Sequence, residues 1–381
     1  DTLPLYSTLP STPSGTNLWI DTGRRSAIAL KNLIDKNIKT KDILTSKAFE
    51  NAMIVHAACG GSTNLILHLP AVAHAVKENI MKVEDWIRIN KLTPRLVDVL
   101  PNGPKGFPTS VFFSSGGVPE VMLKLRNEGL LNLDVITSTG LTLKENLDWW
   151  EQSEKRDFVR KQLRNTRNID PEDVVHSLKN SKKKNMTSTV TFPKGNISPE
   201  GSVVKSTAID KTVIDDDGVY RKIGPARIFI SEADAIKAVK DKGENGVKAG
   251  DIMVIVCGGP KGTGMQEVAQ ITIALKYLSY GKEVALITDG RFSGVSTGAC
   301  IGHIGPEALD GGPIGKLKEN DLIEINIDTI NLEGSINLIG EDGQNKGVKW
   351  GNDELGRRGL RSDLKPQDGL PEDTVLWAHL Q

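Results

Sequence analysis

The chain has 381 residues, 38% of them hydrophobic and 25% charged, the composition of an ordinary soluble globular protein with two domains or one large one. Its 48 basic and 48 acidic residues cancel, so no global field favours nucleic acid or an anionic membrane, and no apolar stretch approaches the roughly 18 residues of a membrane span. Cys59, Cys257 and Cys300 are too widely spaced for a disulfide framework or a CxxC metal knuckle, and with no secretory signal visible we expect a cytoplasmic protein.

Residues 1–20 read as a loop rich in hydroxyls and proline. They open at Asp1 without an initiating Met, so we expect the later part of a longer protein. Arg24 to Lys36 has helical spacing, with Ile28, Leu30, Leu33 and Ile34 on one side. A second helix is predicted from an N-cap at Ser46 through Ala52, Met53 and Val55 towards Cys59. The run Gly60-Gly61-Ser62-Thr63-Asn64 interrupts it, and a third helix carries Leu65, Leu67, Leu69, Val72 and Ala73. Phe107 to Ser114 reads as a strand, and a helix starts at Gly116-Gly117 and runs through Val121, Met122 and Leu125. Asn165 to Lys184 is charged and poor in large apolar residues, as a linker is, and its Lys182–Lys184 run reads as a solvated loop.

After Thr187 short strands dominate: Ser188–Phe192, Ser202–Ile209, Ala226–Phe229, Ile252–Val256, Val284–Ile287 and Leu322–Ile327. Helices are interleaved near Glu232–Lys242 and Met265–Leu278. The pattern predicts an α/β protein in three parts. An incomplete N-terminal α/β domain covers 1–165, a linker 166–187, and a β-barrel-like C-terminal domain with flanking helices 188–381.

Three loops carry chemistry. Gly60–Asn64 opens a helix with free N–H groups and hydroxyls, which suits an anion or a cluster edge, or equally a helix–helix turn capped by Ser62 or Thr63. Cys257-Gly258-Gly259-Pro260-Lys261-Gly262-Thr263-Gly264 follows a strand, as a phosphate cradle does, but no Gly-Lys-Ser/Thr ends it and Pro260 breaks a dinucleotide fingerprint. Glu267, expected near the start of the next helix, either complements the helix dipole or offers Mg²⁺ a hard oxygen ligand. The third loop, 289–303, is dense in Gly, Ser and Thr, which is costly to order unless it binds something.

Together these segments resemble the IlvD/Edd dehydratases. The resemblance rests on Gly-Gly-Ser-Thr-Asn (60–64), Gly-Gly-Val-Pro-Glu-Val-Met (116–122), Gly-Pro-Lys-Gly-Thr-Gly-Met-Gln-Glu (259–267) and Asp-Gly-Arg-Phe-Ser-Gly-Val-Ser-Thr-Gly-Ala-Cys-Ile-Gly-His (289–303). They come in the family's order, from near residue 20 to the C-terminus. Asn146-Leu-Asp-Trp-Trp-Glu-Gln-Ser, Thr191-Phe-Pro-Lys-Gly-Asn-Ile and Pro101-Asn-Gly-Pro are similar to the sugar-acid branch, the xylonate-type YjhG/YagF-like dehydratases.

The resemblance implies loss of water from a 2,3-dihydroxy carboxylate such as D-xylonate to give a 2-keto-3-deoxy acid. It implies Mg²⁺ and an iron–sulfur cluster, 2Fe–2S or 4Fe–4S, as cofactors. It makes Glu267 the acidic metal ligand and Ser293 the base, whose bland alternative is a capping hydroxyl. Ser296 and Thr297, with Ser62, Thr63 and Asn64, would bind substrate, or in the case of Ser296 and Thr297 satisfy their own turn. Arg291 would clamp an anion or make a structural ion pair. His303 reads as a packed, hydrogen-bonded histidine and Cys300 as a buried, inert thiol. None of the three cysteines matches a cluster ligand of the family, so this chain alone is expected to hold no cluster and to be inactive unaided. A homodimer or homotetramer is expected. The rivals are a dihydroxy-acid or phosphogluconate dehydratase, a non-catalytic carboxylate-binding protein, and a nucleotide-binding enzyme using the 258–264 loop.

Overall fold

The computed structural model describes residues 15–370, except 80, 101, 294, 295 and 297. The chain divides into two compact units. One comprises residues 1–61, 72–81 and 88–188; the other comprises 62–71, 82–87 and 189–381.

The first unit is helical among its described residues. Its elements, two of which run on into the other unit's sequence, are α1 (Asn17–Asp35), α2 (Thr40–Ile43), α3 (Ser46–Cys59), α4 (Leu65–Ala75), α5 (Val83–Leu92), α6 (Thr109–Ser114), α7 (Gly117–Asn127), α8 (Leu143–Glu151), α9 (Glu154–Arg167), α10 (Pro171–Val174) and α11 (Leu178–Lys183). Helix α3 is buried on nearly every side, through Phe49, Ala52, Met53 and Val55, and packs against α7. Its N-cap is Thr45, whose hydroxyl accepts from the amide of Ala48, rather than Ser46. Ser46 is the first helical residue and spends its hydroxyl on Glu78 Oε2 at 2.6 Å.

One further expectation gives way here. Residues 109–114 are helix α6, not strand: Pro108 stands at its N-cap and Ser114 Oγ donates back to the carbonyl of Ser110. A short apolar run fits a buried helix as well as a strand, and the Pro before it decides. The stretch expected as a linker holds the end of α9 together with α10 and α11, and buries Val174, Val175, His176 and Ser181. One of its charges, Glu172, joins an internal ion-pair network. Fully buried Glu120 accepts from Arg156 Nε (2.8 Å) and Nη2 (3.0 Å) and pairs with Arg160, which also reaches Glu172 at 2.6 Å.

The second unit is built on one mixed sheet. Its strands are β1 (Val190–Thr191), β2 (Gly201–Lys205), β3 (Val219–Phe229), β4 (Ile252–Ile255), β6 (Ala285–Thr288), β8 (Cys300–Gly305), β9 (Asp321–Asp328), β10 (Glu333–Glu341) and β11 (Gln344–Asn345), in the order β1-β2-β8-β6-β4-β3-β9-β10-β11. A separate parallel pair joins β5 (Glu267–Val268) to β7 (Arg291–Phe292). The sheet curls until its ends meet: Lys194, just after β1, bridges to Ser335 on β10, and Ile197 donates its amide to the carbonyl of Ile336. Gly195 is required there, because a Cβ would lie 2.1 Å from the Ile336 carbonyl oxygen.

The period of two explains both faces. Ile252 and Val254 of β4, Ala285 and Ile287 of β6, and Ile323, Ile325 and Ile327 of β9 fill the interior of the curl. The alternate residues Met253, Ile255 and Leu286 face outward and are covered by α12 (Glu232–Lys240) and α14 (Gln270–Lys276). That is why β4 and β6, parallel and covered on both faces, are continuous apolar runs, whereas antiparallel β9 alternates. Two further helices complete the unit, α13 (Pro260–Thr263) and α15 (Gly347–Arg357).

Candidate active site

Strands β4 and β6 are parallel neighbours, with Ile255 opposite Thr288, so the loops that follow them leave the same edge of the sheet side by side. In an open α/β arrangement this edge is where ligands bind. The two loops approach so closely that a Cβ on Gly258 would stand 3.0 Å from the Cα of Gly290.

Asp289, the first residue after β6, is buried and fastens the loops together. Its carboxylate accepts from the amides of Cys257 (3.2 Å), Gly258 (2.8 Å) and Ala308 (2.9 Å). Burial pushes its pKa up, against the pull of those three N–H groups. Glu307 plays a similar part, with Oε1 accepting from the amide of Lys261 at 2.9 Å, and burial raises its pKa too. The amides that a phosphate would need at 257, 258 and 261 are thus already occupied by the protein's own carboxylates, which counts against the nucleotide reading.

Glu267 lies on β5, not at the start of a helix; α14 begins only at Gln270, because the backbone of 267–268 is committed to the ladder with β7. In that ladder Glu267 is directly opposite Arg291, and Val268 opposite Phe292. Residues 62–71, which belong to this same second unit and include the start of α4, supply two contacts to the pair. Asn64 Nδ2 donates to Glu267 Oε2 at 3.3 Å, and Arg291 Nη1 donates to His68 Nε2 at 3.2 Å. Asn64 Oδ1, Arg291 Nε and His303 Nε2 are each buried with no hydrogen-bond partner among the described residues. Three orphaned polar atoms around one group of side chains mark a place built for something other than the chain itself.

The remaining candidates are distributed as follows. Ser293 is partly buried just beyond β7; its amide donates to the carbonyl of Val268 and its carbonyl accepts from Ser296 at 2.9 Å. Ser296 is buried and its hydroxyl pairs with that of Thr272 at 3.1 Å. Ser62 Oγ accepts from the amide of Asn64 at 3.3 Å, a capping contact, while the Oγ1 of fully buried Thr63 has no partner among the described residues. Thr297 lies outside the described residues. His303 stacks edge-on against Phe292, and burial, then the charge of Arg291, push its pKa down to about 4. It is packed as expected, but among the described residues its Nε2 has no hydrogen-bond partner. His68 was not among the candidates; its pairing with Arg291 depends on the β5–β7 register, which the sequence does not print.

The implied cofactors set a chemical requirement on these residues. Glu267 with the orphaned Oδ1 of Asn64 offers hard oxygen donors that suit Mg²⁺. Among the described residues, no three His, Cys, Asp or Glu side chains converge as a metal site. The cysteines do not suit an iron–sulfur cluster. Cys257 and Cys300 are buried in the second unit and Cys59 ends α3 in the first, and none of the three belongs to a group of side chains that could share a metal among the described residues.

Comparison with known proteins adds an independent line. Residues 2–146 match the family described as Dihydroxy-acid/6-phosphogluconate dehydratase N-terminal, and residues 173–360 match its C-terminal counterpart. The chain is 55% identical over 369 residues to D-xylonate dehydratase YagF of Escherichia coli (strain K12), and 56% identical over 372 residues to D-xylonate dehydratase YjhG of the same strain. Each alignment covers 97% of this chain and 56% of the relative. A dihydroxy-acid dehydratase of Picrophilus torridus is 39% identical over 329 residues, 86% of this chain and 53% of that protein. The chain therefore spans little more than half the length of these relatives.

Proposed function

The chain belongs to the dihydroxy-acid/6-phosphogluconate dehydratase family, and from that premise we propose that it carries part of the active site of a sugar-acid dehydratase. The substrate is D-xylonate or a close aldonate, and the product its 2-keto-3-deoxy acid. The choice of sugar acid over branched dihydroxy acid is supported by 55–56% identity to D-xylonate dehydratases against 39% to a dihydroxy-acid dehydratase. The observation that carries the site is the meeting of Glu267 with Asn64 beside Arg291, at the edge where both Gly-rich loops emerge.

In this reading Glu267 and the Oδ1 of Asn64 hold Mg²⁺. When bound, that ion supplies positive charge for the substrate carboxylate and 2-hydroxyl and lowers the pKa of a neighbouring hydroxyl. Ser293 takes the C2 proton, and Arg291, two residues before it, adds fixed positive charge for the substrate carboxylate. Ser62, Thr63, Ser296 and Thr297 bind the substrate's oxygens, with the orphaned hydroxyl of Thr63 best placed by its chemistry to gain a partner. No step is assigned to an iron–sulfur cluster, because the described cysteines do not suit one. On the same reading the enzyme works in the cytoplasm as a homodimer or homotetramer; among the described residues no helix is long and apolar enough to cross a membrane.

The test is Ser293→Ala in the cofactor-loaded enzyme. Turnover should fall by roughly 10²-fold or more while the thermal unfolding midpoint is unchanged. Retained turnover would remove Ser293 from the role of base.

A further inference from the structure

Helix α4 meets the β5–β7 pair in two matched contacts. The amide of His68 donates to the carbonyl of Asn64 at 3.0 Å, so the two residues lie one turn apart on one face of the helix. Glu267 and Arg291 lie opposite one another in the strand pair. Asn64 takes the first and His68 the second.

The second contact is chemically unusual. A guanidinium is always charged, and here no carboxylate among the described residues lies within ion-pair distance of it. Its partner is a histidine nitrogen, which accepts only when bare, so His68 is neutral with its proton on Nδ1. Burial and the Arg291 charge both push the His68 pKa down, in agreement with that assignment. His303, whose pKa burial and the Arg291 charge push down, is also neutral and offers no counter-charge. Glu267 neighbours Arg291 but turns its Oε2 to Asn64. Among the described residues Arg291 is therefore held by one uncharged acceptor, with its Nε–H buried and without a partner. Such an edge is shaped for a carboxylate, which a guanidinium binds through two parallel N–H groups.

We propose that His68 is a positioning residue for substrate recognition: by accepting from Nη1 it turns Arg291 so that the Nε edge receives the carboxylate of the sugar acid. This inference rests on the reading of the site as a sugar-acid dehydratase, and it adds a specificity-determining residue to it.

The experiment uses the cofactor-loaded enzyme and D-xylonate. His68→Ala should raise KM about tenfold, the value of one hydrogen bond to a charged group, with kcat changed less than about threefold. His68→Gln, whose amide oxygen can accept from the same nitrogen, should recover most of that loss. Arg291→Lys keeps the charge but loses the fork, and should raise KM at least as much as His68→Ala. Calorimetric titration of D-xylonate into Ser293→Ala, with and without His68→Ala, should show the same loss in Kd without turnover. The proposal is overturned if His68→Ala leaves KM unchanged, if it lowers only the unfolding temperature, or if Gln rescues nothing. A parent enzyme that fails to turn over D-xylonate at all would instead strike at the functional reading, which separates the two failures.

Discussion

The amide of Gly258 donates to Oδ1 of Asp289 across 2.8 Å, and this bond ties the loop after β4 to the loop after β6. It is short because a glycine lets the two backbones touch: a Cβ at 258 would crowd Gly290. The candidate site is assembled by the two loops so joined. Asp289→Asn keeps the volume but places an amide group, half of it a donor, against backbone donors. We expect a loss of about 1–3 kcal/mol of stability, read as a lower urea midpoint at unchanged slope.

Gly262→Ala tests the same turn from the other side. Its Cβ would lie 2.0 Å from the carbonyl oxygen of Cys257, a backbone atom that cannot swing away. Gly129 meets open space and carries only a positive φ of 69°. We expect Gly262→Ala to cost more than about 2 kcal/mol and Gly129→Ala about 1 kcal/mol, from paired denaturation curves.

His303 makes stability depend on pH. Its folded pKa is about 4 against an ordinary 6.5, so acidification protonates the unfolded chain first. The contribution of the neutral ring is present above pH 6.5 and is lost as pH falls from there towards 4. His303→Asn suits the residue's positive φ of 53° and removes the titration, so its melting temperature should vary less across that window than the parent's.

The thiols give a chemical check on packing. Cys257 and Cys300 are buried and their pKa values raised, so both should resist iodoacetamide at pH 8 in the native protein and react on unfolding. Mass spectrometry of tryptic peptides reads each site separately. Fast native labelling of Cys300 would contradict its place among the outward core residues of the sheet.

Much of the C-terminal unit was legible in the sequence because its strands have a simple period. The runs at 252–256 and 284–287 read as strands and are strands, since Val and Ile on both faces are covered by interior and helices. Residues 107–114 were not legible: Val111 and Phe112 are apolar in either geometry, and only Pro108 separates the two. The motif residues of the site could be named, but not their neighbours. Glu267 reads as a helix-start acid until β7 claims its backbone, and His68 has no mark at all until the register sets Arg291 beside it. What the sequence hides is contact between segments more than 200 residues apart.

The central claim is the reaction and its substrate. The most direct measurement is keto-acid formation by the cofactor-loaded enzyme given D-xylonate and, separately, 2,3-dihydroxyisovalerate. The account predicts a 2-keto-3-deoxy acid from D-xylonate, at a kcat/KM at least about tenfold above that for the branched acid, a difference of about 1.4 kcal/mol in transition-state binding. Turnover of 2,3-dihydroxyisovalerate with none of D-xylonate would contradict it.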